Sequence, residues 1–162
     1  MTVHFNADEV FQIAEQIERN GIAFYRAAAE RAKDASARQL LQDLAAMEVK
    51  HEKTFAKMRA ELTEEERTAT FDPAGEAAAY LKAVADGQVF DLSDPSKRLT
   101  GKDSLEELFR IAIGMEKDSI VFYLGMTDMV PMRFGQKKIE EIIREERKHI
   151  LIIARAVEML RK

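Results

Sequence analysis

The chain has 162 residues, 46% of them hydrophobic and 33% charged, which allows one domain with a buried core and leaves no run apolar enough to span a membrane. Its formal charge of -4 and pI near 5.5 weigh against a surface built to bind nucleic acid. Without cysteine it can hold no disulfide, no thiolate zinc site and no iron–sulfur or rubredoxin-type centre, so redox chemistry would fall to oxygen and nitrogen ligands. The N-terminus has no basic stretch followed by an apolar run, and a cytoplasmic protein folding as one domain over 1–162 is expected.

Asn6 followed by Glu9 has the form of a helix cap, and the first helix is predicted from Ala7 to about Ala32. Its seam, read at steps of three and four, is Phe11, Ala14, Glu18, Gly21, Tyr25, Ala28, so one carboxylate sits in an apolar stripe. Asp34 or Ser36 caps a second helix running to about Leu62, with the seam Leu41, Leu44, Glu48, His51, Phe55, Met58. From Thr63 to Asp103 the breakers Asp72-Pro73, Gly75 and Asp94-Pro95 interrupt any regular pattern. Within this stretch only Ala74 to Ala85 is predicted helical, stopping near Gly87. The remainder is a crossover along a bundle. Ser104 with Glu107 forms a capping box for a third long helix, with the seam Phe109, Ala112, Glu116, Ser119, Tyr123, Met126. After Pro131 a fourth follows with Ile139, Ile142, Glu146, His149, Ile153, Ala156, Leu160.

The second pair of helices repeats the first at an offset of 98. Glu18 maps to Glu116, Phe24 and Tyr25 to Phe122 and Tyr123, Glu48 to Glu146 and His51 to His149, with no insertion or deletion in either half. In an antiparallel hairpin, residues at equal height are equidistant from the turn. Pairing Glu18 with Glu48 sets one turn at Lys33, and pairing Glu116 with Glu146 sets the other at Pro131. Each histidine follows its glutamate by three residues, about 4.5 Å along the helix on nearly the same face. Packing the halves together gathers four glutamates and two histidines.

Four carboxylates buried together repel and drive one another to hold protons. Two divalent cations would offset the four charges, with each imidazole supplying one nitrogen ligand. One histidine per metal among carboxylates suits iron or manganese better than structural zinc. The spacing therefore predicts a dinuclear site with Glu48 and Glu146 as bridging ligands and Glu18 and Glu116 as terminal ones. The alternatives are a decayed duplication or a buried hydrogen-bonded network. Tyr25 and Tyr123 lie two turns beyond their glutamates, as ordinary core tyrosines or as partners of the ligands. Glu145 and His4 are expected to be solvated, and the methionines to fill the core.

The order Glu, Glu-x-x-His, Glu, Glu-x-x-His around a long central crossover resembles the ferritin-like superfamily, and within it the diiron domain of the rubrerythrins, over essentially the whole chain. The resemblance implies an all-α, ferritin-like four-helix bundle of two duplicated hairpins, with a crossover containing a short helix. It implies two iron ions, with manganese or zinc as occupants in a given preparation, bound by Glu18, Glu48, His51, Glu116, Glu146 and His149, and Tyr25 and Tyr123 beside the reacting centre. The implied activity is a nonhaem diiron oxidoreductase that reduces hydrogen peroxide, or oxidises ferrous iron with peroxide or dioxygen. Its electrons would come from a separate donor such as a rubredoxin-like protein, and its assembly would be a homo-oligomer, a dimer by preference. No nucleic acid or membrane partner is implied. An iron-handling or storage protein, or a noncatalytic metal-stabilised or redox-sensing module, are the alternatives. Two departures stand out: the rubredoxin module is missing, and Ser119 occupies the place where many rubrerythrins carry an extra glutamate, with Asp118 pointing off the seam.

Overall fold

The computed structural model describes residues 6–69, 75–85, 95–133 and 136–162. Helix α1 spans Ala7–Arg31, α2 Ala35–Ala60, α3 Glu64–Thr68, α4 Glu76–Ala85, α5 Leu105–Met126 and α6 Gln136–Leu160, with 3-10 turns at Pro95–Arg98 and Thr127–Met129. The starts are set by local chemistry. Asn6 and Glu9 form a reciprocal capping box on α1, Asp34 caps α2 through the Ala37 amide, and Ser104 and Glu107 box the start of α5. Each such cap satisfies amides that the first turn leaves without partners and contributes about 1 kcal/mol. The α1 terminus is closed by Arg38, whose guanidinium donates to the Ala32 carbonyl at 2.8 Å.

Helix α3 is not among the sequence expectations. Its signal was present in Thr63 and Glu66, which form the same reciprocal box, but three consecutive glutamates and no buried residue deprive it of an apolar stripe to detect. Arg133, beyond α5, pairs with Glu66 and donates to the Glu61 carbonyl at 3.0 Å, holding α3 against the turn between the last two helices. The Asp72-Pro73 break, Ala74, the stop near Gly87, Asp94 and His4 lie outside the described residues.

Helices α1 and α2 form one hairpin and α5 and α6 the other, and they join through α1 against α5 and α2 against α6. Helix α4 lies on α5, where the Tyr80 hydroxyl donates to the Val121 carbonyl at 2.8 Å and its ring covers Gly125. The buried apolar residues fall into two clusters. One gathers Phe11, Ala14, Phe55, Met58, Phe122, Tyr123, Met126 and Ile139; the other gathers Phe24, Tyr25, Ala28, Leu41, Leu44, Phe109, Ala112 and Ile153. Burying one such large side chain stabilises the fold by about 1.5–3 kcal/mol. Between the two clusters lies a polar layer built on the four long helices. Among the described residues no helix is long and apolar enough to cross a membrane.

Candidate metal centre

The polar layer holds the six residues singled out by the duplication. Glu18, Glu48, His51, Glu116, Glu146 and His149 are each no more than 3% exposed. Each comes from an apolar seam, so the hydrophobic burial of its own helix carries it inward. The donors converge in two groups, Glu18, Glu48, His51 and Glu146 in one and Glu48, Glu116, Glu146 and His149 in the other, with ligand atoms within 4.8 Å of one another in each. Glu48 and Glu146 belong to both.

Both histidines turn Nδ1 inward. His51 Nδ1 lies 3.2 Å from Glu48 Oε2, 3.0 Å from Glu146 Oε1 and 3.7 Å from Glu18 Oε2. His149 Nδ1 lies 2.9 Å from Glu146 Oε2, 3.2 Å from Glu48 Oε1 and 3.5 Å from Glu116 Oε2. The rings stack at 5.7 Å with planes 18° apart.

Two tyrosines close the layer from opposite sides. Tyr25 donates its hydroxyl to Glu116, and Tyr123 donates to Glu18, each crossing from one hairpin to the other. These reciprocal bonds require α1 and α5 to run in opposite directions, since residue 25 stands level with 116 while 18 stands level with 123. Burial, reinforced by the charge of the neighbouring glutamates, raises both phenols well above their ordinary range, so they remain donors.

Without a cation the glutamates share protons unequally. Burial and then the Glu116 charge push Glu146 up to about 8; burial with the Glu48 charge raises Glu18, and burial with the charges of Glu146 and Glu116 raises Glu48. Burial would raise Glu116 too, but the neighbouring His149 imidazole, the Glu146 carboxyl and the hydroxyl donated by Tyr25 together hold it below the usual carboxylate range. Burial opposes charging of the imidazoles, yet the surrounding carboxylates outweigh it, raising His51 and pushing His149 up to about 12.

The donor set fits a pair of cations. Glu48 Oε1, both Glu146 oxygens and both His149 nitrogens are buried without a hydrogen-bond partner. His149 Nδ1 stands 2.9 Å from a Glu146 oxygen without forming a hydrogen bond with it. A fully buried polar atom with no partner costs about 1–3 kcal/mol. Of these unpartnered atoms, Glu48 Oε1, the Glu146 oxygens and His149 Nδ1 stand among the converging donors, and such spacing is that of ligands, since donors about 2.0–2.2 Å from a divalent ion lie only a few ångströms apart.

Glu145 corrects the sequence expectation. Its side chain is 53% exposed, but Oε2 accepts from His51 Nε2 at 2.7 Å. That hydrogen bond, ahead of an opposing desolvation, lowers its pKa, so it is an ionised acceptor and Nε2 must carry the hydrogen. Neighbouring Glu146 on the helix hid this role, because one residue's rotation takes Glu145 off the α6 seam; the contact is made by the facing helix instead. Ser119 spends its hydroxyl on the Met115 carbonyl at 2.9 Å, and Asp118 belongs to neither group of donors. Glu15, absent from the sequence-derived candidates, is also buried, but it pairs with Arg19 at 2.9 Å and Arg59 at 3.4 Å away from the centre.

The rubrerythrin family model matches residues 2–90. The fold is similar to the crystal structure of a provisionally assigned ferritin-like diiron-carboxylate protein from Thermotoga maritima, with a TM-score of 0.71, 23% identity and 98% of each chain covered. No curated protein sequence matches. On the extent of the family match, supported by a helical bundle with a buried glutamate and histidine layer, the chain belongs to the rubrerythrin family.

Proposed function

We propose that the polar layer binds two iron ions and that the protein uses them to reduce hydrogen peroxide, or to oxidise ferrous iron with peroxide or dioxygen. The observation that carries this reading is the sharing of Glu48 and Glu146 between two converging donor groups. In this reading Glu48 and Glu146 would be shared by the two ions, Glu18 and Glu116 would each serve one of them as terminal carboxylates, and His51 and His149 would each give Nδ1. A pair of ferrous ions supplies two electrons, the number that converts one peroxide to two waters when two protons are added. Tyr25 and Tyr123 orient Glu116 and Glu18 and keep those carboxylates from swinging away. The apolar clusters on either side exclude water from the layer. This sequence contains no cysteine to hold an electron-transfer iron, so re-reduction falls to a separate donor, of which a rubredoxin-like protein is one class.

The test is an anaerobic titration followed by oxidation. The protein is expected to bind two ferrous ions per chain and, on peroxide addition, to oxidise two of them per peroxide faster than ferrous ion free in the same buffer. Binding without faster oxidation would leave a metal-stabilised, noncatalytic bundle as the better reading. No binding would remove the metal centre altogether.

A further inference from the structure

The two halves of the centre differ outside the ligands. Position 145 precedes the second Glu-x-x-His, and its counterpart at the offset of 98 is Met47, which packs at the edge of an apolar cluster. His51 accordingly has an anionic acceptor on Nε2 at 2.7 Å, whereas His149 Nε2 is buried with no partner. The six donors obey the duplication; their support does not.

We infer that Glu145 is a positioning residue that makes the two metal positions unequal, so that the position of Glu18, Glu48, His51 and Glu146 fills before that of Glu48, Glu116, Glu146 and His149. This rests on the reading of the layer as a metal centre. The argument is one of imidazole geometry. A ring whose Nε2–H is donated outward has its other nitrogen aimed inward with the lone pair free for a cation once the Nδ1 proton has left. Its rotation about χ2 is fixed by the same bond, so less freedom is lost on binding. The negative acceptor also pushes electron density into the ring and strengthens it as a ligand. His149 also turns Nδ1 inward, but no acceptor fixes its rotation or enriches its ring, and its Nε2 is buried with no partner. Because Glu145 is half exposed, it supplies this support without a fourth buried carboxylate on the His51 side of the layer.

The experiment uses the metal-free full chain labelled with nitrogen-15 at histidine and titrated with zinc ion, a diamagnetic probe, while each imidazole nitrogen is followed by magnetic resonance. At one equivalent of zinc the His51 Nδ1 resonance is expected to move to its bound position ahead of that of His149. Glu145→Met, which copies Met47, should remove the preference, lowering it by the ~10–100-fold that loss of such a partner costs. Glu145→Gln keeps an acceptor oxygen and should still load His51 first, a rescue that separates positioning from general stability. Equal loading of both histidines in the unaltered protein, or first loading of His51 in Glu145→Met, overturns the inference while leaving two bound metals intact. Failure of both histidines to respond in the unaltered protein would instead overturn the metal centre.

Discussion

Tyr123 on α5 donates its hydroxyl to Glu18 on α1, and the duplication returns the bond as Tyr25 to Glu116. The two acceptors are not alike in the metal-free protein, since Glu18 is driven to hold a proton and Glu116 is kept ionised. A hydrogen bond to a charged acceptor is the stronger of the two. Tyr25→Phe should therefore destabilise the metal-free protein more than Tyr123→Phe, each within about 1–3 kcal/mol. Denaturant melts of the two variants check the order, and an equal or reversed order would contradict this assignment of charge.

Removal of shared and unshared carboxylates should separate. Glu146→Ala takes a donor from both groups and is expected to abolish paired binding, whereas Glu18→Ala takes one donor from one group and should retain a single ion. Metal content of the two purified variants, reloaded side by side, decides it. Two ions retained by Glu146→Ala with none retained by Glu18→Ala would reverse the bridging assignment.

The pH dependence of the metal-free protein follows from the raised groups. In the folded protein Glu146 is pushed up to about 8 and His149 up to about 12, above their ordinary values of 4.5 and 6.5. Across the intervals between those values the folded chain binds more protons than the unfolded chain, so stability falls as pH rises, by up to about 1.4 kcal/mol per pH unit for each proton. Calorimetric melting of chelator-treated protein should show Tm decreasing from about pH 5 to 8. Metal binding expels those protons, so metal affinity should rise over the same interval. A chelated protein whose Tm climbs with pH would contradict the buried, protonated layer.

Three helical glycines should respond differently to alanine, although each gains about 1 kcal/mol in helix propensity. At Gly114 an added Cβ meets nothing within 4 Å, so the gain should be realised. At Gly125 it would collide with Tyr80 Cε1, forcing that ring from its place between α4 and α5, and overpacking of about 1–3 kcal/mol should outweigh the gain. At Gly21 it would stand 3.3 Å from Glu48 Cγ, so Glu48 must give by a few tenths of an ångström and metal affinity should drop with little loss of Tm. Thermal melts with and without metal separate the three. Uniform stabilisation would mean that neither Tyr80 nor Glu48 is confined as described.

By itself the sequence determined the four long helices, the capping boxes of α1 and α5 and the six converging donors, because a helix period places residues on a face and an internal repeat at one offset marks which polar residues sit on it. Glu18 and Glu48 were legible as level with one another from the turn at Lys33 alone, and that turn lies between α1 and α2. Interactions between the hairpins were not legible in the same way. Periodicity shows that Tyr25 is buried, but the antiparallel packing of α1 on α5 decides that its hydroxyl reaches Glu116 rather than its own hairpin. Periodicity likewise puts Glu145 off the seam. Only the placement of α2 beside α6 brings His51 within 2.7 Å of it, because a hydrogen bond between helices depends on their separation and rotation, which no residue spacing along one helix encodes.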